Sequence, residues 1–162
     1  AYLFHEKLGK KILIIDLDVH QGNGTAHIFE DHDQIITFSI HGEKNFPFKK
    51  EKSHFDIALH DGIEDEEYLN ILNDTLPKLL ERVEPEFVYF QSGVDVLGTD
   101  KLGKFNMTLE GCRLRDSIVF QNCKKYKVPV EVSMGGGYSY HIKDIVNAHV
   151  NTYRTAIDIY DL

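Results

Sequence analysis

The chain has 162 residues, 42% of them hydrophobic and 27% charged, enough for one domain with its own core and too apolar for a disordered tail. Its formal charge of −8 argues against direct binding to nucleic acid, which depends on clustered Lys and Arg, and no apolar run approaches the ~20 residues of a membrane helix. The opening AYLFHEKLGKK lacks the apolar core of a secretory signal, so no membrane association and a cytoplasmic location are expected.

That opening reads as the tail of a helix closed by Gly9 in the left-handed region, which leads us to expect a chain that starts in mid-element, a piece of something longer. No repeat, low-complexity tract or linker divides residues 1–162, so one domain is expected. KILIIDL (11–17) is apolar at four consecutive positions, implying cover on both faces and hence a parallel sheet. Asp16, Asp18 and His20 then follow at alternate positions, which in a strand places them on one face with Leu17 and Val19 on the other. Two crowded carboxylates repel unless a cation neutralises them, and carboxylates with an imidazole suit Zn²⁺ or a similar divalent ion with an open position. The plainer alternative is a strand end that caps the next helix or solvates a loop.

GNGT turns into a short helix around AHIFE, and QIITFSI (34–40) is a second strand, ending in Ser39 and His41. DEEYLNILNDTLPKLLERV carries Leu69, Leu72, Leu76, Leu79, Leu80 and Val83 on one helical stripe, with a kink expected at Pro77. EFVYFQS (86–92) runs into GVD with Asp95, the third ligand if the strands are parallel neighbours, because parallel sheets bind ligands beyond their strands' carboxyl ends. TLEGCRLRDSIVFQNCKKY follows with Thr108 as N-cap. It holds Cys112 and Cys123 roughly 16 Å apart, too far to bridge, which fits a reducing compartment. VPVEVSM (128–134) leads into GGGYS, a glycine bend presenting Tyr138, or else a flexible loop with a core tyrosine. YHIKDIVNAHVNTYRTAIDIY repeats apolar residues at Ile142, Ile145, Val146, Val150, Tyr153, Ile157 and Tyr160, an amphipathic helix. The alternation predicts an α/β fold of three layers, a mostly parallel sheet with helices on both faces.

Taken together, DLDVHQGNGT, FSIHGEKNFP, QSGVDVLGTDKLG, FNMT and GGGYS resemble the zinc-dependent histone deacetylase family of the arginase/deacetylase fold, with HGEKNFPF and RDSIVF closer to its class IV and bacterial members than to class I. The resemblance implies Asp18, His20 and Asp95 as ligands of Zn²⁺, with Fe²⁺ an alternative, and Tyr138 as the catalytic hydrogen-bond donor to the substrate carbonyl. It also implies a structural K⁺ held by Asp16, Ser39 and the carbonyls of Asp16, Asp18, His20 and Ile40. A substrate tunnel lined by Phe46, Leu102, Gly136 and Gly137 and a looser second cation site near Phe29, His32 and Ile35 follow in the same way. The implied activity is hydrolysis of an acyl-lysine in a protein, a peptide or a polyamine. One departure stands out: the family's adjacent His-His pair, which carries the general base, does not occur in this sequence. Residues 1–162 therefore resemble the C-terminal half of the family domain, an incomplete domain expected to be inactive or nearly so by itself and to self-associate through exposed edges. Two rivals remain: a non-catalytic metal- or acyl-lysine-binding module, and a haloacid-dehalogenase-like phosphatase using Asp16 and Asp18 with Mg²⁺, which leaves His20, GVD and GGGY unexplained.

Overall fold

The computed structural model describes residues 1–162, apart from the side chain of Leu3. Ten elements follow in order: α1 (Tyr2–Leu8), β1 (Ile12–Asp16), α2 (Asn23–Phe29), β2 (Ile35–Gly42), β3 (Phe55–Leu59), α3 (Asp65–Val83), β4 (Phe87–Gly93), α4 (Leu109–Tyr126), β5 (Val130–Gly135) and α5 (Ile142–Tyr160). The five strands form one sheet in the order β3-β2-β1-β4-β5, every pair parallel. From β1 the chain steps one way to β2 and β3, then returns to the other side of β1 as β4 and continues to β5. Right-handed crossovers therefore place α2 on one face and α3 and α4 on the other. The α1 helix joins the face of Phe87 and Tyr89, with the Phe4 and Phe87 ring centroids 4.6 Å apart.

The main core lies under α3 and α4. Leu13, Ile15, Val88 and Phe90 from the sheet meet Leu72, Leu76, Val119 and Phe120 from the helices, all buried. Burying each such side chain stabilises the fold by about 1.5–3 kcal/mol. Gly9 closes α1 at φ 62°, and the Thr108 hydroxyl caps α4 by accepting from the Gly111 N–H at 2.9 Å. The α3 helix runs as one element through Pro77.

Two features differ from the sequence reading. FDIAL was passed over, yet it forms β3, an edge strand whose inward positions alternate with exposed ones and so show no continuous apolar run. The stripe read on α5 is only partly core: Ile145 and Tyr160 pack against the core, whereas Ile142, Val146, Val150, Tyr153 and Ile157 are exposed, and the buried contacts of the helix come from Ala148, Thr152 and Thr155. Small residues permit close approach to α4, which leaves the larger ones facing solvent.

Candidate metal centre

The order of strands reverses between β1 and β4, one crossover leaving to each side, so a crevice opens beyond their carboxyl ends. Asp18 and His20 follow β1 there, and Asp95 follows β4. They converge by a route the alternation argument did not foresee. Strand β1 stops at Asp16, and the next residues bend. The Asp18 N–H donates to Asp16 Oδ1 at 3.1 Å and the His20 N–H to Asp18 Oδ1 at 2.8 Å, two successive turns in which an aspartate captures the backbone two residues on. The spacing Asp-x-Asp-x-His thus works as turn chemistry rather than as a strand face.

Asp18, His20 and Asp95 each bring one ligand atom within 4.8 Å of the others. His20 Nδ1 lies 3.0 Å from Asp95 Oδ2 and 3.2 Å from Asp18 Oδ1, while the Val19 N–H donates to Asp95 Oδ1 at 3.0 Å. The electrostatics show a deficit of positive charge. Hydrogen bonds to Asp18 and then Asp95 raise His20 to about 10, against the effect of burial. Burial, reinforced by the charge of Asp18, raises Asp16 to about 7, and burial likewise pushes Asp95 up. Crowded negative charge favours protonation here, and two carboxylate oxygens with one imidazole nitrogen form a donor set that suits a divalent ion such as Zn²⁺.

Asp16 and Ser39 stand opposite each other in the β1–β2 register, with buried Ile40 next along β2. The Ser39 hydroxyl lies 2.9 Å from His41 Nδ1. His32 Nδ1 accepts from the N–H groups of Gln34 and Ile35.

The glycine bend closes over Asp95: Gly136 has φ 69°, and a Cβ there would stand 2.6 Å from the Asp95 carboxyl carbon. Gly137 follows at φ 119° against Ile145. On the other side a Cβ on Gly103 would meet the Asp95 carbonyl oxygen at 1.9 Å. Asp100 joins the two sides, its Oδ2 accepting from the Tyr138 N–H at 2.7 Å and its Oδ1 from the N–H groups of Leu102 and Gly103. Tyr138 is 63% exposed, and Phe46 and Leu102 are exposed as well.

Beneath the site lies a group the sequence reading passed over. Arg115 on α4 is fully buried and donates from Nη1 to the carbonyls of Leu17 (3.2 Å) and Gly93 (2.5 Å), from Nη2 to Ser92 Oγ (2.8 Å) and from Nε to Asp116 Oδ1 (2.9 Å). Asp116 also accepts from Ser92 and from Thr152, the latter at 2.6 Å. One guanidinium therefore grips the backbone just before Asp18 and just before Asp95. The available signal was a charged Arg-Asp pair on the apolar stripe of Cys112, Val119, Phe120 and Cys123.

Residues 1–153 match the histone deacetylase domain. A protein of Picosynechococcus sp. is 44% identical over 153 residues, 94% of this chain and 51% of that protein. Histone deacetylase 6 of Arabidopsis thaliana is 32% identical over 164 residues, covering 94% of this chain and 33% of its own length. The crystal structure of acetylpolyamine aminohydrolase from Burkholderia pseudomallei shares the fold with a TM-score of 0.78 at 19% identity, over 93% of this chain and 46% of that one. This chain spans about half or less of the length of each. Five parallel strands with helices on both faces are the arginase/deacetylase arrangement. Because the histone deacetylase domain matches nearly the whole length of this chain, the chain belongs to the histone deacetylase family.

Proposed function

We propose that this chain supplies the metal-binding half of a metal-dependent acyl-lysine deacetylase site. The observation that carries the reading is the convergence of Asp18, His20 and Asp95 at the switch point of the sheet. These three would hold Zn²⁺, or Fe²⁺ where that is the ion supplied, and Asp16, Ser39 and Ile40 would hold a structural K⁺. Bound there, the divalent ion supplies Lewis-acid polarisation of the acyl carbonyl and acidifies the attacking water. Phe46, Leu102, Gly136 and Gly137 wall the passage for the acyl-lysine, and the Tyr138 hydroxyl donates to the carbonyl oxygen as it gains negative charge. Loss of such a donor costs about 10²–10³ in rate.

The proton on the attacking water needs a base, and no adjacent His-His pair occurs in this sequence to provide one. General acid–base help is worth about 10²–10⁴, so this chain by itself hydrolyses acyl-lysine barely or not at all. That gap also favours a second reading, a module that binds metal or acyl-lysine without chemistry. Zinc titration followed by acetyl-lysine hydrolysis, in this chain and in the full-length protein, tests both. Stoichiometric zinc lost on Asp18→Asn and His20→Ala, with turnover in the full-length protein that falls on Tyr138→Phe, supports the enzyme. Turnover by this chain alone refutes the need for an outside base, and failure to bind zinc refutes the site.

A further inference from the structure

The chain is acidic overall, yet the loops beside the candidate metal centre have the opposite sign. Residues 43–52 (EKNFPFKKEK) and 100–104 (DKLGK) hold six of the chain's 18 Lys and Arg against three carboxylates. They form one surface, because Asn45 Nδ2 donates to the Leu102 carbonyl at 2.9 Å and Lys104 Nζ to the Lys44 carbonyl at 3.2 Å. That surface sits on the site: Gly103 lies against Asp95, and Asp100 holds the Tyr138 backbone.

The carboxylates offset the lysines only in part: Glu43 is exposed and favours the charge of Lys50. Asp100 is buried and engaged with three backbone N–H groups. Lys104 pairs with Asp61 at 3.8 Å, and Lys50 turns inward to the carbonyls of Asn45 and Pro47. Among the described residues, Lys44, Lys49, Lys52 and Lys101 belong to no ion pair. Lys101 places its ammonium 5.3 Å from the Tyr140 ring centroid, so that aromatic face already has a cation. Between these lysines stand exposed apolar surfaces, Phe48 at 86% and Tyr140 at 73%.

We infer that this rim selects acyl-lysines whose flanking residues are acidic and turns away basic tails and polyamines, a conclusion that rests on the deacetylase reading above. Acylation removes the charge of the substrate lysine itself, so the flanking groups are what meet the rim. A polyamine or a Lys/Arg-rich tail brings further cations to unpaired ammonium groups, and like-charge contact across an interface disfavours the wrong partner.

The test uses the full-length, zinc-loaded protein with acetyl-lysine peptides flanked by Asp/Glu, by Ser/Gly or by Lys/Arg, and with an acetylated polyamine. At low salt kcat/KM should favour the acidic peptide over the basic one by about tenfold or more. The preference should collapse at about 1 M salt, where screening acts within ~3 Å, and should invert in Lys44→Glu/Lys101→Glu. Basic peptides or the polyamine turning over best, or a ranking indifferent to salt and to the substitutions, overturns the inference while leaving the deacetylase reading intact. If nothing turns over, that reading fails, and anisotropy of the same labelled peptides still reads the rim: tighter binding of the acidic peptide supports it and equal binding overturns it.

Discussion

Replacing Arg115 by Met removes the guanidinium that joins the loops carrying Asp18 and Asp95 while filling much of its volume. Four hydrogen-bonded partners lose their donor: the carbonyls of Leu17 and Gly93, Ser92 Oγ and Asp116 Oδ1. Asp116 keeps only hydroxyl donors, from Ser92 and Thr152, at a position with no exposure. Breaking one side of a buried ion pair costs about 3–5 kcal/mol, a large share of a total stability near 5–15 kcal/mol. Urea unfolding of the metal-free protein measures this term. A second effect concerns the site itself. The freed carbonyls immediately precede Asp18 and lie two residues before Asp95, so zinc affinity should fall about 10–100-fold in a chelator competition, as it does when the groups supporting metal ligands are removed. The double variant Arg115→Met/Asp116→Leu separates the two effects. Stability should largely return, because an apolar pair replaces the ion pair, while zinc affinity stays low. A single variant that loses less than about 1 kcal/mol, or a double variant that recovers zinc affinity, refutes the positioning role.

Other outcomes follow from the same geometry. In the metal-free protein, Asp16 is raised from 3.8 to about 7, so its contribution is full below pH 3.8 and lost as pH rises through about 7. His20 is raised from 6.5 to about 10, so its bonds to Asp18 and Asp95 stabilise fully below pH 6.5 and fade toward about 10. Thermal unfolding with chelator should therefore weaken across this range, and zinc should raise Tm more above pH 7 than below it; an equal rise on both sides contradicts the charge deficit. Gly136→Ala sets a Cβ against the Asp95 carboxylate at a strained φ, and should lower zinc affinity about tenfold or more, with unchanged affinity counting against that packing. The exposed stripe of α5 should drive self-association in this chain, visible by sedimentation and abolished by Val146→Glu/Ile157→Glu; a monomeric parent chain contradicts it.

The runs of β1, β2 and β4 were legible because central strands carry closely spaced Ile, Val and Phe, the edge strand β5 was legible from its alternating Val residues, and each of the four falls within a residue or two of its run. The half-exposed β3 gave no such signal. The convergence of Asp18, His20 and Asp95 was legible from their places at strand ends, although the geometry that gathers the first two is a pair of aspartate turns that a period-two argument does not contain. Arg115 and Asp116 escaped because adjacent charges on a helix ordinarily face water, and only the contact with two distant backbone carbonyls gives them a role. Apolar spacing on α5 located the helix correctly and the face it buries only in part, since Ala148, Thr152 and Thr155 supply its buried contacts beside Ile145 and Tyr160.

His20 and Asp95 are 75 residues apart in sequence, and α2, β2, β3, α3 and β4 must be made between them. At ~5–20 residues per second of synthesis, Asp95 is added about 4–15 s after His20. For that interval a growing chain holds only two of the three side chains that converge in the folded site. The ordering of strands thus delays completion of the Asp18–His20–Asp95 cluster until β4 has docked beside β1.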